Sequence, residues 1–217
     1  MTNDTRDTYN RIALDWHNDH MQDTWSIDAT ESFSKLLPSG SRVLDVGCAG
    51  GLKSRVLVKN GLHVVGIDTS EVFIEIAKRE VPEGDFRVMD MRDMSSLDGE
   101  FDGIFILASL LHIPKSDVHR VLAGLMKKLK IGGYVYVAVK ERRPDQPEEE
   151  IVVENDYGYH YERFFSFYTI PELQADFEAV GLDVQSIKNI PFGKTNWIHV
   201  VGLKKEKRRA TTAMEAT

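Results

Sequence analysis

One cysteine, Cys48, stands among 217 residues. No disulfide can close within such a chain, and this cysteine usage fits a reducing compartment. Long hydrophobic runs are missing as well, since nothing approaches the ~18 apolar residues of a membrane span. The polar start from Met1 to Thr5 lacks the character of a signal peptide, so a cytoplasmic protein is expected. Basic charge is in deficit: 27 Lys and Arg against 34 Asp and Glu leave a formal net charge of −7. A dedicated nucleic-acid binder builds its phosphate affinity from clustered cations, so this balance argues against nucleic acid as a partner. Metal-ligand clusters are wanting too. His17 and His20 lie at i, i+3 with no cysteine or second histidine pair nearby, and they read as surface residues. There are no internal repeats, and the length suits one domain with a full core.

What is there is organised around Val43-Leu44-Asp45-Val46-Gly47-Cys48-Ala49-Gly50-Gly51. An apolar run stops in a cluster of small residues, and a helical pattern begins at Leu52. That is strand, tight turn, helix. Glycines there let backbone pass close to a ligand and let the helix start pack on the strand. Asp45, at the strand end, faces the same crevice. The spacing Asp-x-Gly-x-Ala-x-Gly resembles the first motif of the class I S-adenosylmethionine-dependent methyltransferases. The dinucleotide fingerprint Gly-x-Gly-x-x-Gly fits less well, because Leu52 holds its last glycine position.

Ile12, Ala13 and Trp16 keep helical spacing in a polar stretch, and Tyr9-Asn10-Arg11-Ile12-Ala13 resembles the Tyr-x-x-x-Ala segment that often precedes this family's core. Residues 1–29 are therefore expected to form either a helix laid over the domain or a lid. Thr30 is expected to cap a helix carrying Phe33, Leu36 and Leu37. A second strand, His63 to Ile67, ends in Asp68, where a carboxylate can accept both ribose hydroxyls of a nucleoside. Asp68-Thr69-Ser70 also opens a helix with Ser70 as N-cap. Phe86 to Met89 makes a third strand. The resemblance implies that Asp90 and Met91, which follow it, meet an adenine ring through the carboxylate and a backbone amide. Phe101 to Leu107 is a fourth strand, and Tyr134 to Val139 a fifth, buried one. Ser109-Leu110-Leu111-His112-Ile113-Pro114 and Leu129-Lys130-Ile131-Gly132-Gly133 resemble the class I pattern closely. Ile131 stands where many members have proline.

Four strand–helix units in this order predict an α/β fold, a doubly wound, seven-stranded Rossmann-like sheet with its ligand crevice at the strand carboxyl ends. It should be mostly parallel, with Val184–Ile187 and Trp197–Leu203 as a C-terminal antiparallel strand pair. From Glu141 to Glu150 the chain reads as a charged, proline-broken loop. Tyr157, Tyr159, Tyr161, Phe164, Phe165, Phe167 and Tyr168 then crowd into twelve residues. That segment reads either as a loop packing its own small core or as an aromatic lid that keeps water from a site. Thr169-Ile170-Pro171-Glu172 spells a capping box. The expected organisation is an N-terminal lid or helix (1–29), a methyltransferase domain (30–203) and a disordered tail (204–217).

The resemblance implies S-adenosyl-L-methionine as cofactor and S-adenosyl-L-homocysteine as product. Expected cofactor contacts are Asp45, Gly47, Cys48, Ala49, Gly51, Asp68, Thr69, Asp90, Met91, Ala108 and Leu111. Expected acceptor contacts are Tyr9, Trp16, His112, Tyr161 and Arg163, with no metal ligand. Catalysis would rest on placing a nucleophile in line with the sulfonium methyl. His112 is the candidate base, or else a group that orients its loop; Glu141 is a weaker candidate. A small-molecule acceptor is the default. The Asp/Asn-Pro-Pro-Tyr/Phe signature of amino-methylating nucleic-acid enzymes is absent after the fourth strand, and Cys48 lies in the glycine turn, away from where cytosine methylation needs a cysteine. Two other readings stay open: a nicotinamide-dependent oxidoreductase, and a non-catalytic S-adenosylmethionine-binding module. A monomer or homodimer is expected.

Overall fold

The computed structural model describes residues 5–206, so most of the expected disordered tail lies outside the described residues. In chain order the elements are α1 (Thr5–His20), α2 (Ile27–Ser34), β1 (Arg42–Val46), α3 (Leu52–Lys59), β2 (His63–Asp68), α4 (Glu71–Glu80), β3 (Asp85–Val88), β4 (Phe101–Leu107), a 3-10 turn (Leu110–His112), α5 (Lys115–Met126), β5 (Leu129–Lys140), β6 (Glu149–Glu154), β7 (Tyr161–Ser166), α6 (Ile170–Ala179), β8 (Leu182–Phe192) and β9 (Thr195–Lys204). Seven strands form one sheet in the order β3-β2-β1-β4-β5-β9-β8. The first five are parallel, and β9 and β8 pair antiparallel at the far edge. The strand order reverses between β1 and β4, which opens a crevice over their carboxyl ends. No helix among the described residues is long and apolar enough to cross a membrane.

Alternation along the strands splits the core into two layers. Val43, Phe105, Tyr136 and Ala138 pack with Phe33 of α2 and Leu57 of α3. Leu44, Val46, Ile104, Ile106, Val135 and Val137 turn the other way, onto Val118, Val121 and Leu125 of α5 and Phe177 of α6. The expected caps at Ser70 and Thr169 are present: the Ser70 hydroxyl accepts from the Phe73 amide, and Thr169 with Glu172 completes the capping box.

Three expectations from the sequence are corrected. Thr30 lies inside α2 and spends its hydroxyl on the Ser26 carbonyl at 2.7 Å, so the helix begins at Ile27 and the 29/30 boundary cuts through it. Residues 149–166 are not a loop. β6 and β7 form an antiparallel ribbon of their own, with Val152 opposite Arg163. His17 is no surface residue: it is 2% exposed, and neither ring nitrogen has a hydrogen-bond partner.

Phe105 is wholly buried and touches Phe33 and Tyr136, with ring centroids 5.3 and 4.7 Å away. Phe105→Ala is expected to cost about 3–5 kcal/mol of unfolding free energy in urea titration. Exposed Ile131→Ala should stay within about 0.5 kcal/mol.

Candidate active site

Two cavities open over the carboxyl ends of the parallel strands. The inner chamber has a volume of about 340 Å³, and the outer cleft about 960 Å³. Tyr9, Gly47, Asp68, Ser109 and His112 line both, so the two form one groove running across β2, β1 and β4.

The turn after β1 is shaped by close approach. Gly47 has φ +74, and a Cβ there would overlap the Cβ of Ser109, whose hydroxyl donates to the Val46 carbonyl at 2.5 Å. Ala49 and Ala108 hold positive φ, 45 and 54, without being glycine. Such backbone strain costs about 1–3 kcal/mol per residue and clusters at functional sites. Both residues line the inner chamber.

Two carboxylates face the groove, Asp45 buried and Asp68 half-buried. Asp68 accepts from the Ala49 amide (3.0 Å) on one oxygen and from the Ser70 amide (2.9 Å) on the other. The Thr69 amide acts on the carboxylate as well, and Asp68 still lines both cavities. Burial pushes its pKa up, against those amides. Asp45 accepts from the Ser54 hydroxyl at 2.6 Å and is pushed up to about 7, first by burial, with Asp68 adding to it. A cation placed against Asp45 would reverse that shift.

His112 is tied at both nitrogens. Nδ1 lies 2.7 Å from the Phe164 carbonyl, which can only accept, so Nδ1 carries the proton. Nε2 therefore accepts from the Tyr9 hydroxyl, also at 2.7 Å. Burial pushes the ring down to about 3, with Arg163 and Lys140 adding to the effect. Arg163 donates to Tyr9 at 3.3 Å and forks onto Glu154 at 2.5 and 2.6 Å. Thus α1, the 3-10 turn and β7 meet in the chain Arg163–Tyr9–His112.

The chain matches the methyltransferase domain family over residues 17–187. It belongs to that family. Among curated relatives, a ubiquinone biosynthesis O-methyltransferase of Dechloromonas aromatica is 35% identical over 111 residues, 49% of this chain and 47% of that protein. The chain thus spans about half the length of the curated relatives it matches. Two solved structures share its fold at a TM-score of 0.70. One is a 1,6-didemethyltoxoflavin-N1-methyltransferase of Burkholderia thailandensis with its named substrate and S-adenosylhomocysteine (18% identity, 92% of this chain, 88% of that one). The other is the magnesium protoporphyrin IX methyltransferase of Synechocystis with S-adenosylmethionine (16%, 92% and 95%). At these identities the likeness concerns the fold alone.

Within this family member, the chamber gathers Asp45, Gly47, Cys48, Ala49, Asp68, Ala108, Leu111 and His112 with Tyr9, Trp16 and Arg163. Thr69, Asp90 and Met91 line the outer cleft. Asp90 already holds the Arg92 guanidinium; burial opposes it, but Arg92 keeps the carboxyl below the ordinary range. Gly51 and Tyr161 line neither cavity. Gly51 packs against Ala77 and Val81 of α4, where a Cβ would be crowded at 3.2–3.4 Å. The Tyr161 hydroxyl turns away to donate to Asp156 at 3.0 Å. Glu141 accepts from Asn189 at 2.7 Å outside the chamber.

Missed by the sequence reading are Trp25, Lys53, Lys140, Phe192 and Trp197, all on the chamber wall beside Phe165 of the aromatic segment. Lys140 ends β5 as Asp45 nears the end of β1, so the rule of strand carboxyl ends could have found it. Trp197 sits opposite Lys140 only through the β5–β9 register, which no local pattern reveals.

His112 titrates from about 3 folded and about 6.5 unfolded. Between those values the unfolded chain binds more protons, so this residue's contribution to stability is full above pH ~6.5 and falls as the pH drops towards 3. Nitrogen-15 NMR of the ring is expected to show the Nδ1–H tautomer with no titration from pH 5 to 8. An inflection near 6.5 would refute the assignment.

Proposed function

We propose that this chain transfers the methyl group of S-adenosylmethionine to a small-molecule acceptor. Family membership supports the reaction class. The single observation that carries the cofactor is Asp68: a half-buried carboxylate at the end of β2, fixed by backbone amides and facing both cavities. That donor set suits a vicinal diol.

Asp45 and the Gly47–Ala49 turn would hold the charged amino-acid end, whose ammonium answers the strained carboxylate. Thr69, Asp90 and Met91 would flank the nucleoside in the outer cleft. When bound, the cofactor supplies a methyl group already activated on a sulfonium, so the protein's part is orientation and exclusion of water. Tyr9 and Trp16 of α1 form the roof of the chamber, with Trp16 packed edge-on against Phe73 at 5.4 Å.

Of the two roles open to His112, we favour the orienting one. A ring pushed to about 3 is a weak proton acceptor at neutral pH, and general bases work best with a pKa near the operating pH. Fixed by Phe164, it holds the Tyr9 hydroxyl in the groove. The acceptor's proton then leaves to solvent or to another group as the carbon–sulfur bond breaks and the new bond to carbon forms.

Calorimetry of the protein with S-adenosylhomocysteine, with NADH in parallel, tests the cofactor. Binding of the former alone, in the micromolar range, is expected. Binding of NADH alone would sink the proposal and revive an oxidoreductase. Asp68→Asn should weaken S-adenosylhomocysteine by at least about tenfold, the usual worth of a charged hydrogen bond. Unchanged affinity would remove the diol assignment.

A further inference from the structure

The chamber wall beyond β4 carries positive charge and donors that the cofactor reading leaves without a task. Three cationic side chains line the chamber: Lys53, Lys140 and Arg163. Two are committed. Arg163 forks onto Glu154, and Lys53 donates to the Trp25 carbonyl. Asp23, the carboxylate on this side, accepts from the Trp25 amide at 2.7 Å on one oxygen and acts on Lys53. Lys140 is different. It projects from the end of β5, half-buried, and has no hydrogen-bond or carboxylate partner among the described residues. Its ammonium lies 3.9 Å from the Phe165 ring centroid and 6.0 Å from that of Trp197.

Around it the chamber is aromatic. Trp25 packs on Trp197 at 4.4 Å and on Phe192 at 6.0 Å. The indole N–H groups of Trp25 and Trp197 are buried and likewise lack an acceptor among the described residues. So an ammonium without an acceptor stands on a wall of aromatic faces. Aromatic faces offset part of the cost of burying a cation, but an unpaired buried charge remains unfavourable. Burial, with Arg163 close by and Glu154 pulling weakly the other way, accordingly holds Lys140 down to about 8. A wall of this composition fits one kind of guest: flat and apolar over most of its area, and acidic at one edge.

We propose that the methyl acceptor is a planar aromatic carboxylate, its ring against Trp25 and Trp197 and its carboxylate on Lys140. The proposal rests on the reading that the chamber is the acceptor side of a methyltransferase. It makes Lys140 the residue that selects the charge of the acceptor. The cofactor's own carboxylate is the competing guest for this ammonium, and the experiment separates the two.

All three tryptophans, Trp16, Trp25 and Trp197, line this chamber, so intrinsic fluorescence reports what enters it. The probes are 2-naphthoate and 2-naphthamide, alike in shape and opposite in charge state, titrated into protein saturated with S-adenosylhomocysteine. The naphthoate is expected to bind at least about tenfold tighter, as for a charge-assisted hydrogen bond in a dry site. Lys140→Met should shrink that ratio to within about twofold, and Lys140→Arg should keep it, while both bind S-adenosylhomocysteine as the native protein does. Equal affinity for the two probes, no binding of either, or a preference that survives Lys140→Met would overturn the proposal. So would a loss of S-adenosylhomocysteine affinity in Lys140→Met, which would put the cofactor's carboxylate on Lys140. The native comparison stands even where a variant does not fold. Failure of the native protein to bind S-adenosylhomocysteine strikes the methyltransferase reading itself, whereas failure of the naphthoate alone leaves that reading intact.

Discussion

Everything at the site depends on how closely other elements approach the turn after β1. A Cβ on Gly47 would overlap Ser109 at the end of β4, and one on Gly50 would overlap the imidazole of His17 on α1. Backbone without side chains is therefore the meeting point of the neighbouring strand's loop and the N-terminal helix. Because those contacts are made at backbone distance, the amide of Ala49 can reach the carboxylate of Asp68 on β2. The turn, both strand ends and α1 are placed by one constraint, namely that nothing protrudes from residues 47 and 50. Protein interiors pack too densely to absorb even one extra methyl there.

The second organising feature is a separation of charge along the groove. Asp45 and Asp68 lie under the turn, where burial raises both. Lys140 lies on the far wall past β4, where burial lowers it. Desolvation penalises the charged form of either sign, so each shift marks a place where the protein holds a charge that folding alone does not favour. Perturbed groups in a cleft are a signature of function with a physical cause. In the proposed reading the carboxylates under the turn take the cofactor's ammonium and diol, and Lys140 takes the acceptor's anion, with Lys53 near Asp45 and tied to the Trp25 carbonyl. His112 and Tyr9 stand between the halves, neutral and hydrogen-bonded to each other.

Much of this was legible in the residues. The parallel strands announce themselves as short apolar runs ending in Asp45, Asp68 and Leu107, and a doubly wound sheet places such ends on one rim. What escaped depends on pairing that no local pattern encodes. Charged residues Glu149 and Glu150 gave β6 the look of a loop, yet its partner β7 makes it a strand. His17 read as a surface residue because no cysteine or second histidine pair lies near it to hold a metal; only the docking of α1 onto the glycine turn buries it. Tyr161 shares its face of β7 with Arg163 and Phe165, but it stands at the far end of the strand, beyond the chamber, where Asp156 takes its hydroxyl.

The N-terminal helix shows how a covering element becomes part of the chemistry. On α1, Ile12 and Ala13 are wholly buried, and Asn10 bridges Ser70 (2.6 Å) and Glu71 (2.7 Å) at the start of α4. Tyr159 from the β6–β7 connection reaches Asp15 at 2.6 Å. These contacts outweigh a local penalty. His17 is buried with both ring nitrogens unpartnered, a cost of about 1–3 kcal/mol for each polar group so stranded. Protonation would raise that cost, and burial accordingly lowers the ring's pKa. The helix is thus held from its first turn to its third, through Arg6 with Glu71 and Tyr159 with Asp15, while its last turn carries the unsatisfied group against Gly50. Since α1 also supplies Tyr9 and Trp16, the closure of the groove and the hydrogen bond to His112 are coupled to the docking of this one helix.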